Sequence, residues 1–409
     1  MTAPLTHAPE LAPLPTDEAL PGLLHLLDPD WVWERYCATF GEPDEAPDRI
    51  RPLQLLYRQG RRALLAYAAE RRWDQWVVEE QFAIELRARH GERVFRYPDD
   101  PYLPGLARAA SAADAQTLLT QHVSLHPQRL NVELLRYRPG NRAVLRHIAG
   151  WRRGGAPELT LYARAMPPKR IGRLIRAAEI VRHSGFALPE IIGCWEEGGV
   201  AWLTNAPGET VRSLIRAGTP PRPGAIIEPL AQLWAVPLSS ESNRGFDLPG
   251  SFEWTERLLS CVLPEGDAHE TLRLVADRLR PFAGSWRPTA LAHNDFYDDQ
   301  LVLTPAGTLA LVDFEEAGPG DPLLDVGNLL AHLRWMSRSG ANAEACAAYH
   351  QRFRAAALQR FGWSEHDLAL REAFAIFRLS TNPFRQLRRD WPLAVQQGLE
   401  LALETLDEA

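Results

Sequence analysis

Apolar residues recur at helical spacing between Leu20 and Phe40, at Leu23, Leu24, Leu27, Trp31 and Val32, and predict a helix there. The Pro-, Ala- and Thr-rich stretch before it, 1–20, predicts a loose tail. The segment PLQLLYRQGRRALLAYAAE (52–70) predicts strand, Gln-Gly turn and strand. QWVVEEQFAIEL (75–86) is compatible with a further strand or with the start of a helix. LNVELLRYRPGNRAVLRHIAGW (130–151) predicts a second hairpin with a Pro-Gly turn, and ELTLYARAM (158–166) an alternating strand closed by Pro167 and Pro168. KRIGRLIRAAEIVRHSG (169–185) places Ile171, Leu174, Ile175, Ala178 and Val181 on one helix face, with a glycine stop. GVAWLTNAPGETVRSL (199–214) predicts strand, linker and helix start. From 226 to 400 the periodicity is mostly helical, broken by two short strands around 301–313. The two hairpins resemble each other. YRQGRRALLAY (57–67) matches YRPGNRAVLRH (137–147) at Tyr, Arg, Gly, Arg, Ala and Leu, 80 residues apart. Duplication of a hairpin unit and convergence on one hairpin type both account for this.

Composition narrows the class. Of 409 residues, 45% are hydrophobic and 24% charged, which is too apolar for a disordered chain. The net charge of −7 gives no general basic field for nucleic acid. No apolar run approaches the ~18 residues of a membrane span, and the first residues lack the basic and apolar regions of a signal peptide. Cys37, Cys194, Cys261 and Cys346 are scattered, with no CxxC motif, as expected of reduced and mostly buried thiols in a cytoplasm. Among 45 basic residues the only lysine is Lys169.

The chemistry concentrates in LAHNDFYDDQLVLTPAGTLALVDFEEAGPGDPLLDVGNLLAHL (291–333). His293-Asn294-Asp295 is followed five positions after the aspartate by Gln300, then by a short hairpin. Asp313 ends the return strand, 18 residues after Asp295. Two carboxylates at loop ends of one hairpin can converge on one cleft. Phosphoryl transfer needs such an arrangement: one carboxylate at the attacking hydroxyl, another on a divalent cation, and a side-chain carbonyl as a further ligand. Asp298 and Asp299 are expected as exposed loop charges.

The ordered set His293, Asp295, Gln300, Asp313, Gly320-Asp321-Pro322 and Asp325 resembles the aminoglycoside phosphotransferase and choline kinase family. The resemblance implies an α+β, protein-kinase-like two-lobe fold over roughly 128–400. It implies that Asp295 orients the acceptor hydroxyl or takes its proton, that Asp313 and Gln300 hold Mg²⁺, and that Asp325 ties down the catalytic loop with structural help from His293. Gln300 stands where the family carries asparagine, one methylene longer. Maltokinase-like members look similar there.

The upstream half extends the resemblance. Arg164, in YARA, takes the place of the family's phosphate-binding lysine, and Glu179 lies 15 residues on, where the family's pairing glutamate stands. Arginine is planar and bulkier than lysine. Three readings follow: Arg164 holds the phosphates, Lys169 reaches them instead, or the Arg164–Glu179 pair is structural. LTNAPG (203–208) resembles the hinge, so adenine would meet the backbone near Thr204, Asn205 and Ala206. RYRPGN (136–141) occupies the nucleotide-loop position without being glycine-rich.

The expected organisation is an extension over 1–127 that gives extra structural support, caps the small lobe or makes oligomer contacts, a small lobe over 128–206, and a helical lobe over 207–409. The expected activity is transfer of a γ-phosphoryl group from ATP or GTP, with Mg²⁺, to a hydroxyl of a small molecule. The competing reading is a pseudokinase-like nucleotide- or protein-binding module. Arg378, Arg385 and Arg389, spaced by seven and four, predict one basic helix face, which is either solvated or paired with acids near Asp390 and Glu400, or favours a neutral or anionic acceptor such as a sugar. Trp335, Trp363 and Trp391 are expected in core packing.

Overall fold

The computed structural model describes residues 12–41, 46–151, 158–238, 245–338 and 342–408. It begins with helix α1 (Pro29–Phe40), capped by Asp28, whose carboxylate accepts from the Asp30 and Trp31 amides. Four antiparallel strands follow as a meander: β1 (Arg49–Arg58), β2 (Arg62–Trp73), β3 (Trp76–Arg87) and β4 (Gly91–Arg96). The ambiguous segment 75–86 is therefore a strand. Its alternation is hidden because both faces of its second half are buried, from Phe82 to Leu86.

Helices α2 (Leu106–Ala110) and α3 (Ala112–Val123) lead to a second sheet. Its strands are β5 (Arg129–Arg138), β6 (Arg142–Gly150), β7 (Leu159–Ala165), β8 (Ile191–Trp195) and β9 (Val200–Thr204), in the order β5-β6-β7-β9-β8. Helix α4 (Ile171–Val181) joins β7 to β8. Its buried stripe, Ile171, Leu174, Ala177, Ile180 and Val181, packs beside Ala201 and Leu203 of β9.

The rest is helical around small ribbons. Strand β10 (Glu209–Thr210) and helices α5 (Val211–Arg216), α6 (Gly224–Trp234), α7 (Leu248–Val262) and α8 (Asp267–Ser285) precede the catalytic segment. That segment holds β11 (Ala290–Ala292), β12 (Leu301–Leu303), β13 (Leu309–Leu311) and β14 (Gly318–Gly320). Helices α9 (Pro322–Ser337), α10 (Ala343–Phe361), α11 (Glu365–Leu379), α12 (Asn382–Arg385) and α13 (Trp391–Asp407) close the chain. Sheet-rich first half and helical second half form the two lobes of a protein-kinase-like fold.

The 1–127 extension does not simply cap the small lobe. Its core residues, among them Leu26, Tyr57, Leu65 and Phe82, belong to one apolar cluster with Phe252, Leu279, Phe377, Phe384 and Leu399 of the helical lobe. The Tyr57 ring meets Phe384 edge-on at 6.4 Å. The tail is not loose where it is described: Leu14 and Leu20 are buried, while residues 1–11 lie outside the described residues. Only Cys346 is buried; Cys37, Cys194 and Cys261 are half-buried, and none of the four is in a disulfide. Among the described residues no helix is long and apolar enough to cross a membrane.

Candidate active site

The catalytic segment is held from below by a buried carboxylate. Asp325, in the first turn of α9, accepts from the backbone N–H of His293 and of Asn294, both at 2.8 Å, and from Trp234 Nε1 at 3.1 Å. Burial pushes its pKa up to about 7, against the pull of these donors. Asn294 adopts φ +67°, and its amide donates to the Glu316 carbonyl at 3.0 Å. Gly320 lets this loop pack on β14, because a Cβ there would lie 2.0 Å from Asn294 Oδ1. His293 is fully buried, edge-on to Phe296, and burial lowers its pKa to about 4. It is a neutral packing group behind the loop.

Asp295 emerges from this frame. Burial raises its pKa to about 6, with Arg378 pulling down and Asp313 and Glu316 pushing up. The two aspartates therefore feel each other's charge across one cleft. Gln300 Nε2 donates to Asp295 Oδ2 at 3.4 Å, while Gln300 Oε1 is buried with no protein partner. Asp313 has φ +60° at the end of the β12–β13 hairpin. Arg142 grips it with both nitrogens, at 2.8 and 2.9 Å, and Arg164 Nη1 lies at 3.4 Å. Burial disfavours its charge, but the Arg142 bonds and the charge of Arg164 prevail and hold its pKa far below the ordinary range.

The predicted Arg164–Glu179 pair does not form. Glu179 is exposed and pairs with Arg182 on its own helix at 3.0 Å. Arg164 instead donates to Glu315 at 2.8 Å. Arg170, just before α4, donates to the same Glu315 at 3.1 Å, and Arg173 on α4 pairs with Glu316. The charges are exchanged relative to expectation: the helix supplies cations, and the loop after Asp313 supplies the acids. The spacing argument located a glutamate on α4 but not its face. The signals available were the acidic pair in VDFEEAG and the arginines flanking Pro168. Lys169 is exposed, whereas its neighbour Arg170 points into the cleft.

Thr204 ends β9, with its N–H on the Glu190 carbonyl and its hydroxyl accepting from the Glu190 N–H. Asn205 and Ala206 follow, exposed and half-buried. Asp298 corrects the expectation of a solvated charge: it is fully buried and held by Arg212 Nε and Nη2 at 2.9 and 3.1 Å. Asp299 is exposed, as expected, and reaches Arg212 at 3.3 Å. The basic face of Arg378, Arg385 and Arg389 is not one helix face, since α11 ends at Leu379 and α12 starts afresh at Asn382.

Among the described residues no cluster of three or more His, Cys, Asp and Glu is arranged to hold a metal. The available donors are hard oxygens: the Asp313 carboxylate and the unpartnered Gln300 Oε1. These suit a Mg²⁺ ion that keeps waters and phosphate oxygens as its other ligands.

The two-lobe frame, with an interior aspartate anchoring the loop that carries Asp295, is that of a protein-kinase-like fold. A family model, APH, phosphotransferase enzyme family, matches residues 140–369, more than half of the chain, and the chain belongs to that family. Its fold is similar to that of a choline/ethanolamine kinase family protein from Mesorhizobium loti. That match has a TM-score of 0.50 and 19% identity, and covers 72% of this chain and 94% of that one. A choline kinase from Streptococcus pneumoniae aligns with a TM-score of 0.49 and 14% identity over 72% of this chain and 98% of its own. A thermostable mutant of an aminoglycoside phosphotransferase aligns at 0.48 and 16% over 71% and 98%. No curated protein matches the chain.

Proposed function

We propose that this protein transfers the γ-phosphoryl group of ATP or GTP, with Mg²⁺, to a hydroxyl of a small molecule. Asp295 orients that hydroxyl and takes its proton as the acceptor oxygen bonds to phosphorus and the β–γ bridging oxygen leaves on the nucleoside diphosphate. Asp313 and Gln300 Oε1 hold the cation, which offsets phosphate charge. Arg164 takes the lysine's role at the phosphates, and the hinge near Thr204, Asn205 and Ala206 receives the base. The single observation carrying this reading is that Asp295, on a loop anchored by Asp325, accepts from Gln300, whose Oε1 is buried without a protein partner, and lies within reach of the Asp313 charge.

One observation favours a second reading. The bidentate Arg142–Asp313 pair occupies both oxygens of the proposed metal ligand. If that pair never opens, the protein is a nucleotide- or protein-binding module without transfer.

The test is a thermal-shift titration with ATP and GTP, with and without Mg²⁺, followed by a nucleoside-diphosphate release assay over an acceptor panel. A ligand at 100 times its Kd adds about 2.7 kcal/mol of apparent stability. The phosphotransferase reading expects a Mg²⁺-dependent shift lost in Asp313→Ala, and turnover lost at least a hundredfold in folded Asp295→Asn. Full turnover in Asp295→Asn sinks the assignment. A shift without turnover by any acceptor supports the binding module.

A further inference from the structure

Beside the catalytic loop lies a cavity of about 400 Å³ whose wall carries six arginines, Arg136, Arg138, Arg212, Arg216, Arg385 and Arg388, against a single carboxylate, Asp299. Tyr297 and Asp299, two and four positions after Asp295, form part of that wall, so the cavity lies beside the loop that carries Asp295. The wall is assembled from every layer: Gln54 from the first sheet, Arg136 and Arg138 from β5, Arg212 and Arg216 from α5, and Arg385 from α12.

Two of the six are neutralised by protein. Arg212 is held by Asp298 and Asp299, and Arg388 by Asp390 at 2.8 Å. Among the described residues, Arg136, Arg138, Arg216 and Arg385 have no carboxylate within ion-pair distance. Arg378 sits next to this group, over the face of Phe246 at 4.9 Å, close enough to act on both Asp295 and Arg385. Arg378 Nη1 and Arg138 Nε are buried with no hydrogen-bond partner. Burial, with the like charges of Arg136 and Arg142, lowers the Arg138 pKa to about 10.

Like charges gathered in a half-buried cavity, with donors unmade, are costly in the empty protein. A cationic acceptor would add repulsion. A neutral one would leave the charge uncompensated. A phosphate or carboxylate would take the guanidinium groups that no carboxylate of the protein pairs, among them Arg385, which meets only Asn382 Oδ1 at 3.5 Å and the Trp254 ring.

Resting on the phosphotransferase reading, we infer that the acceptor is an anionic alcohol, whose phosphate or carboxylate is held by Arg138 and Arg385 of the cavity wall while its hydroxyl is turned toward Asp295. The anion site positions the acceptor; Arg138 and Arg385 do not enter the chemical step.

Inorganic phosphate is the first probe. It should raise the Tm of the full-length protein, and the shift should disappear in Arg138→Gln and Arg385→Gln. With MgATP, matched pairs are then compared: glycerol against glycerol 3-phosphate and glycerate, and glucose against glucose 6-phosphate. An anionic member should be at least tenfold better in kcat/KM than its neutral partner. Arg385→Gln should raise its KM at least tenfold and leave the KM for MgATP unchanged. The phosphate and carboxylate arms decide which anion is preferred. The inference is overturned if phosphate gives no shift, if both variants keep the shift, or if a neutral or aminated alcohol is the better acceptor. A phosphate shift lost in both variants but with no MgATP shift at all would sustain the anion site and sink the phosphotransferase reading.

Discussion

The first and second hairpins share a turn, a register and a clasp, yet only the second reaches across the cleft. In each, tyrosine and arginine face alanine and arginine across the turn: Tyr57–Ala63 and Arg58–Arg62, Tyr137–Ala143 and Arg138–Arg142. Gly60 and Gly140 sit at φ +67° and +69°. Each turn is closed by an aspartate from outside the hairpin. Asp17 Oδ2 accepts from Tyr57 Oη and the Gly60 N–H, and its Oδ1 from the Ala19 N–H. Asp100 Oδ2 accepts from Tyr137 Oη and the Gly140 N–H, and its Oδ1 from the Tyr102 N–H. Duplication of the unit and convergence on one hairpin type both account for this agreement.

The difference lies one strand over. Leu64 faces Glu85 in the first sheet, and its counterpart Val144 faces Arg164 in the second. Glu85 is fully buried and ion-paired with Arg62, so the first sheet neutralises its own arginine. In the second sheet, Arg142 and Arg164 find no acid at that position. They turn to Asp313 and Glu315 of the other lobe instead. One exchange of charge separates a sheet that pairs within itself from one that pairs across the cleft.

Breaking the self-contained pair should have the largest effect. Arg62→Ala leaves buried Glu85 with the Tyr102 hydroxyl and, at 4.0 Å, Arg87 as partners and should cost about 3 kcal/mol in urea denaturation, while MgATP stabilisation persists. Loss of that stabilisation would mean the first sheet serves the nucleotide site. Arg164→Ala should reverse the pattern: the nucleotide-linked gain of about 2.7 kcal/mol disappears. If Arg164→Ala binds MgATP normally, its lysine-like role is refuted. The clasps come next, since an asparagine offers only one of the two accepting oxygens. Asp100→Asn should cost about 2 kcal/mol and the less buried Asp17→Asn about 1 kcal/mol, and equal losses would show that burial does not separate them. Glu179→Ala should change neither activity nor stability beyond about 0.5 kcal/mol. A larger loss of turnover would restore the expected pairing with Arg164.

Much of the fold was legible because periodicity and turn residues are local. The hairpins at 52–70 and 130–151, the helix after Pro168 and the short hairpin before Asp313 all appear near their expected places. The segment 75–86 resisted because a strand buried on both faces loses its alternation. Asp298 was misjudged because an acid in a polar loop looks solvated until a distant Arg212 is brought to it. The break in the Arg378–Arg389 run was readable in Pro383, since proline favours a new first turn over a helix interior.

The order of His293, Asp295, Gln300, Asp313 and Asp325 by itself determined the family and the kinase-like lobes, because a loop–hairpin–loop of that length carries its spacing wherever it folds. Which charges meet was decided only in three dimensions. Arg142, Arg164 and Arg170 lie some 145 to 170 residues from the acids they grip, and arginine can answer any carboxylate within reach. Helix α4 turns Glu179 to solvent and brings Arg173 to the acids after Asp313, beside Arg170 just before the helix. The arginine cavity likewise exists only where two sheets and the helical lobe close on one another. Sequence sets the inventory of charges, and packing chooses their partners, because an ion pair depends on distance and desolvation rather than on position along the chain.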